Sequence, residues 1–171
     1  RYLSKFSSVN EYLAEKPDSA FSVLNALEIP ESEDGETMAF YAILHARAEY
    51  IVTDTIKSDS LLLEAIKYYN GERSLKSSLA YYNLGCCYFG ADYYKASYAF
   101  QRAIDLIPDG NDNQKGRSYH ALGSCYYANG NISRRAFPSG SNGGFLNDGL
   151  SGILSEQTDH RRERGQGHQE R

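Results

Sequence analysis

The stretch between Tyr81 and Pro108 is the part of the sequence that most constrains the fold. It joins an aromatic-x2-Leu-Gly-x2-Tyr pattern to an Ala-x3-Phe pattern, and it ends at a proline, which cannot continue a helix. The residues of this pattern are Tyr81, Leu84, Gly85, Tyr88, Ala96, Phe100 and Pro108. A partial second copy of the pattern consists of Tyr119, Leu122, Gly123 and Tyr126. This recurrence predicts a helical unit that is repeated within the chain.

Each copy places its glycine in the middle of a predicted helix. A glycine there costs about 1 kcal/mol relative to alanine. Because both copies accept that cost at the same place, Gly85 and Gly123, we expect a neighbouring helix to approach closely at these positions. The tyrosines of the pattern are expected to pack in the core. This reading is favoured over a stacking platform for bases or sugars, since the chain is acidic.

Apolar residues at helical spacing predict seven helices in the first three quarters of the chain. Turn signals such as Asn70-Gly71 and Asn129-Gly130-Asn131 separate or end them. The predicted helices cover approximately residues 3–15, 19–27, 37–53, 59–69, 74–89, 93–107 and 114–128. An eighth helix would complete the second copy of the pattern, but the residues that follow lack its spacing.

Residues 78–131 resemble tetratricopeptide-repeat (TPR) proteins, whose units are helix–turn–helix pairs that bury their apolar faces by stacking on neighbours. The resemblance implies an all-α fold, a right-handed superhelical stack of antiparallel helix pairs of the α-solenoid type. The units would be degenerate pairs at about 3–30 and 37–70, the best repeat at 78–108 and a half repeat at 116–131, within a helical domain at residues 1–131.

The resemblance implies a non-enzymatic scaffold, because stacks of this kind form extended binding surfaces. The sequence also lacks a phosphate-binding glycine loop, a nucleophile elbow and a paired-histidine metal motif. We therefore expect no enzyme activity, no cofactor and no metal, and a protein or peptide as partner. The stretch 16–20, which heads the second helix, resembles bacterial TPR proteins whose repeats form the sensing part of a membrane-attached regulator. That resemblance implies a signalling or envelope protein.

In TPR proteins the first helices of successive pairs line a concave groove. Carried over to this chain, the groove residues are Leu79, Tyr82, Cys86, Phe89, Arg117, His120, Ser124 and Tyr127. This mixed apolar and polar surface suits an extended peptide or a partner helix. An alternative stays open, in which these residues are solvated or contact a further repeat. The Lys and Asn clamp with which some family members grip a C-terminal carboxylate is not supported here, because other residue types stand at those places.

The charge and composition exclude other classes of function. A formal net charge of −4 and a pI of about 5.6 argue against nucleic-acid binding by this chain alone. No stretch approaches the roughly 20 apolar residues of a membrane span. We expect a soluble domain, cytoplasmic or periplasmic, and a signal peptide or lipid anchor before Arg1 stays possible.

Two alternative functions stay open: a self-associating structural repeat, and a fragment of a transcriptional regulator whose output module is missing.

The composition of the chain changes after Ile132. All 15 tyrosines lie at or before Tyr127, whereas the remaining residues are rich in glycine and have little periodicity. We expect residues 132–171 to form a low-complexity tail. It is either a disordered extension or a non-native end produced by a shifted reading frame or foreign sequence, and the amino-acid sequence leaves both possibilities open.

Overall fold

The structure is a computed structural model that describes residues 2–30 and 33–136, with side chains described up to residue 130. The described residues form helices and no strand, which confirms the predicted all-α class for this part of the chain. The helices are α1 (Tyr2–Tyr12), α2 (Pro17–Asn25), α3 (Gly35–Thr53), α4 (Ser60–Tyr69), α5 (Leu75–Tyr88), α6 (Tyr93–Leu106) and α7 (Asp112–Ala136). The predicted tail lies outside the described residues from residue 137 onwards.

The last helix is longer than the sequence predicts. Helix α7 continues through Asn129-Gly130-Asn131, so the turn predicted there is wrong. Asn and Gly lower helix stability by no more than about 1 kcal/mol per residue, which does not by itself end a helix.

The chain divides into two compact units, residues 1–126 and residues 127–171, and the packing described below belongs to the first.

Short polar side chains fix the beginnings of several helices. The Asp34 carboxylate accepts the backbone N–H of Thr37 at 3.0 Å before α3. Similarly, Asp92 accepts the N–H groups of Tyr94 and Lys95 before α6. These bonds satisfy helix N–H groups that have no partner within the helix. Helix α4 ends at Asn70, which has a φ of 48°, as the Asn-Gly signal predicts.

Consecutive helices from α1 to α6 pack on one another, and α5 with α6 form the most extensive of these pairs. Helix α3 also contacts both α1 and α5. The α3–α5 contact includes a hydrogen bond in which Nδ2 of the buried Asn83 donates to the Ile43 carbonyl at 3.0 Å. Helix α7 contributes Leu122 and Cys125 to the core cluster that contains Leu84. These contacts place parts of α3, α5 and α7 around one cluster.

The two repeated glycines have different surroundings. A Cβ added at Gly85 would lie 2.5 Å from Cε1 of Phe100 on α6. Phe100 is 1% exposed and is held in the core, so α6 does approach α5 as closely as predicted. A Cβ added at Gly123 would meet nothing within 4 Å, so the same expectation is wrong there. The difference arises because no described helix lies on that face of α7.

None of the helices in the described part of the chain has both the length and the apolar character that a membrane span requires.

Candidate functional site

The pocket that brings predicted groove residues together lies between α5 and α7. Tyr82 of α5 is half-buried, and Arg117 and His120 of α7 are exposed. Residues of both helices line an open surface depression of about 470 Å³, namely Tyr82, Asp112, Asn113, Gly116, Arg117 and His120.

Tyr82 and Arg117 form the direct contact between the two walls of this pocket. The guanidinium carbon of Arg117 lies 5.0 Å from the centroid of the Tyr82 ring. The Tyr82 ring also has an apolar neighbour, because its centroid lies 5.5 Å from that of the Phe100 ring. A cation above an aromatic face gains about 0.5–1 kcal/mol at an exposed site. The contact therefore restrains Arg117 at the pocket, where its side chain also interacts with the Tyr82 hydroxyl.

Cys86 lies near this contact but is buried. Burial raises the pKa of its thiol to about 12, so it stays protonated at neutral pH. Burial also raises the pKa of the Tyr82 hydroxyl, and the charge of Arg117 acts in the opposite direction. Since the thiolate is the nucleophilic form of cysteine, Cys86 has the character of a buried packing residue, although the sequence assigned it to the groove surface.

The other predicted groove residues lie outside this pocket. Leu79 packs against the core cluster of α3, α4 and α5 that contains Ala39. The exposed Phe89 makes an edge-to-face contact with Tyr93, at a centroid distance of 5.4 Å. The Ser124 hydroxyl donates to the His120 carbonyl at 3.0 Å. Tyr127 is exposed and belongs to the second compact unit.

The structure adds one cation that the sequence reasoning missed, Arg47 of α3. Its Nη1 donates to Oδ1 of Asn10 at 3.3 Å, and its Nε is buried without a partner. Burial lowers the pKa of Arg47, and the positive charge of Arg117 lowers it further. A lone basic residue in an Ala-rich helix was the available signal in the sequence.

Tyr50 of α3 packs against the core cluster that Tyr82 also contacts, and it lies about one helical turn after Arg47. Burial raises the pKa of its hydroxyl, with smaller contributions from Cys86 and Asp54. We use the term basic groove for Arg47, Tyr50, Tyr82, Arg117 and His120. It combines aromatic rings with two permanent positive charges.

No group of three or more His, Cys, Asp or Glu residues in the described part of the chain is arranged to hold a metal ion. Comparison of the chain with protein-family models, with curated proteins and with solved structures finds no match. The TPR resemblance therefore depends on the sequence pattern alone.

Proposed function

We propose that this chain is a TPR-like, non-enzymatic scaffold that binds a peptide or a helix of a partner protein in the basic groove. The observation that carries the proposal is the pocket in which Tyr82, Arg117 and His120 meet. A half-buried ring with accessible polar groups around it is typical of surfaces that recognise a protein segment. Signalling or envelope function in a bacterium is the context that we propose for this binding.

The packing of the helices is consistent with a right-handed stack of antiparallel pairs, which is part of this proposal. Each helix from α1 to α5 packs on the next, and α3 contacts both α1 and α5. The pairs would be α1 with α2, α3 with α4, and α5 with α6. In such a stack the first helices of the pairs line one surface, and the basic groove takes its residues from α3, α5 and α7.

A pull-down of partner proteins with the full chain tests the proposed function. We expect Tyr82→Ala and Arg117→Glu to reduce the recovery of a specific partner, because they remove the ring and reverse the charge at the pocket. Lys115→Glu is the matched control, since it makes the same charge change at an exposed position of α7. If the same partner is recovered equally with all variants, the groove is not its binding site.

A second candidate function is self-association through the outer face of α7. Tyr119 and Tyr126 are 53% and 49% exposed, and the face of Gly123 between them is open. The equivalent face of α5 is covered by α6 through Phe100. The uncovered face would suit a helix from a second copy of the chain, since stacks of this kind need their terminal faces covered.

A further inference from the structure

Glycine and tyrosine alternate along the open face of α7. At intervals of three, four and three residues, this face carries Gly116, Tyr119, Gly123 and Tyr126. Residues at these intervals lie on one side of a helix. All four are exposed, and a Cβ added at either glycine would have no neighbour within 4 Å in the described part of the chain. The face therefore has two gaps at its glycines, each next to an exposed ring.

Two helix pairs of this molecule show how a glycine is covered. The Phe100 ring of α6 fills the space beside Gly85 of α5, where an added Cβ would lie 2.5 Å from Cε1. In the same way, the Tyr68 ring of α4 lies against Gly35 of α3, where an added Cβ would lie 2.6 Å from Cδ2. In both pairs an aromatic side chain of one helix packs on a glycine of the other. The open face of α7 carries both parts of such a contact.

We propose that α7 pairs with α7 of a second copy of the chain, in an antiparallel dimer in which tyrosine rings of each copy pack on glycines of the other. The ring of Tyr119 lies on Gly123 of the second copy. The ring of Tyr126 lies on Gly116 of the second copy. This inference rests on the second candidate function, self-association, and specifies its contact.

The face is complementary to itself in this direction. A two-fold interface uses the same surface on both subunits, so that surface has to supply both the projecting groups and the spaces that receive them. Positions 119 and 123 are symmetric about position 121, and so are positions 116 and 126. Each of these pairs joins a tyrosine to a glycine. A parallel pair would instead place ring beside ring and leave the glycines facing each other.

Charge also favours the antiparallel direction. None of the four residues of the face is charged, and Asp112 and Lys115 precede it. In a parallel pair each of these two would lie beside its own copy and repel it. In the antiparallel register Lys115 lies opposite position 127, about twelve residues or 18 Å along the axis from its own copy. This distance exceeds the Debye length of about 8 Å at physiological ionic strength, so the repulsion is screened.

The contact borders the pocket between α5 and α7 without using its polar side chains. Gly116 is the one residue that the pocket shares with the four residues of the face. Arg117 is directed to α5, where its guanidinium carbon lies 5.0 Å from the centroid of the Tyr82 ring. The proposed dimer therefore leaves this contact in place.

The area of the rings sets the strength of the dimer. Tyr119 and Tyr126 are 53% and 49% exposed. Since a tyrosine buries about 150–250 Å² in full, four half-exposed rings contribute on the order of 400 Å². Even with a similar area from the backbone around the glycines, the total stays below the roughly 1,200 Å² at which stable interfaces begin. The dimer is therefore reversible and forms at high protein concentration.

The test measures the dissociation constant of the dimer by sedimentation equilibrium of the full chain. We expect Gly123→Leu to weaken the dimer about tenfold, because the added side chain takes the place of the Tyr119 ring. In the monomer this leucine meets open space and improves helix propensity, so the variant is expected to fold. A non-specific apolar association would instead be strengthened by the added leucine.

Ser124→Leu is the matched control for this variant. It adds the same side chain one residue further along α7, away from the face, and it is expected to leave the dissociation constant unchanged. Far-UV circular dichroism checks that every variant is folded.

An exchange of ring and glycine tests the register. Tyr119→Gly removes a ring and Gly123→Tyr fills a gap, and each is expected to weaken the dimer about tenfold. The double variant again places a tyrosine opposite a glycine, with the composition and charge of the wild type. It is expected to recover the wild-type dissociation constant within about twofold. A parallel pair would show no such recovery, because it places the two positions in different layers.

Several outcomes would overturn the inference. A wild type that stays monomeric at its highest soluble concentration would overturn both the pairing and self-association as a function, and would leave partner binding in the groove standing. If Gly123→Leu then also lowered the free energy of unfolding, the face would belong to another segment of the same chain. A dimer that Gly123→Leu leaves unchanged or strengthens, or that the double variant does not recover, would overturn this contact and assign self-association to another surface. Oligomers larger than a dimer would equally overturn it, since a two-fold pair is closed.

Discussion

Phe100 determines how closely two helices of this protein approach. Its ring occupies the space beside Gly85, where any side chain would collide with it. The ring also contacts Tyr82, so the residue that holds the α5–α6 pair together supports one wall of the basic groove. Phe100, which packs α6 against α5, therefore also positions Tyr82, a residue that we assign to partner binding.

Replacement of the two repeated glycines by alanine is expected to have opposite effects. Gly85→Ala gains about 1 kcal/mol of helix propensity but forces a methyl group against the immobile Phe100 ring, and overpacking of this kind costs about 1–3 kcal/mol. Gly123→Ala meets open space and keeps the gain. Urea unfolding should thus show a lower free energy of unfolding for Gly85→Ala and a higher one for Gly123→Ala. Equal changes in both variants would contradict the close approach at Gly85.

At the level of the helices, local signals in the sequence predicted most of the described structure. Capping side chains and apolar spacing act within a few residues, so the positions of α5 and α6 were predicted to within one residue at each end. The end of α7 was not predicted, because Asn-Gly signals permit a turn without requiring one. Arg47 was also missed, since its contact with Asn10 of α1 depends on how distant helices pack.

The contact between α2 and α3 is expected to weaken as the pH falls. His45 of α3 lies near Phe21 and Tyr41, and its Nε2–H donates to Oδ1 of Asn25 at 2.9 Å. Burial lowers the pKa of His45 below its ordinary value of 6.5, and Glu49 partly opposes this effect. Below pH 6.5 the unfolded chain therefore binds a proton at this residue more readily than the folded chain does.

The resulting loss of stability begins near pH 6.5 and continues as the pH falls through the lower pKa of the folded state, and it is absent above pH 6.5. The measurement is the free energy of unfolding in urea at pH 7.5 and pH 5.0, for the wild type and His45→Gln. We expect the difference between the two pH values to be smaller in the variant, which lacks the titrating group. An unchanged difference would show that His45 does not cause the acid sensitivity.

At the scale of the whole molecule, the repeat pattern stops after the first helix of its second copy. Helix α5 is covered on its glycine face by α6, whereas the corresponding face of α7 carries the exposed Tyr119 and Tyr126. The basic groove and this open face involve different residues of α7. Partner binding and self-association can therefore be separated by mutation, since a variant on one face leaves the other intact.

Sedimentation velocity over a wide range of protein concentrations tests this separation. If the open face pairs with a second copy, the wild type should show a concentration-dependent increase in mass. The double variant Tyr119→Lys/Tyr126→Lys should remain monomeric, because it places two like charges at the buried centre of such a contact. Arg117→Glu is the control from the groove and should associate as the wild type does. A wild-type chain that stays monomeric at high concentration would remove self-association as a function and leave the groove as the binding surface of α7.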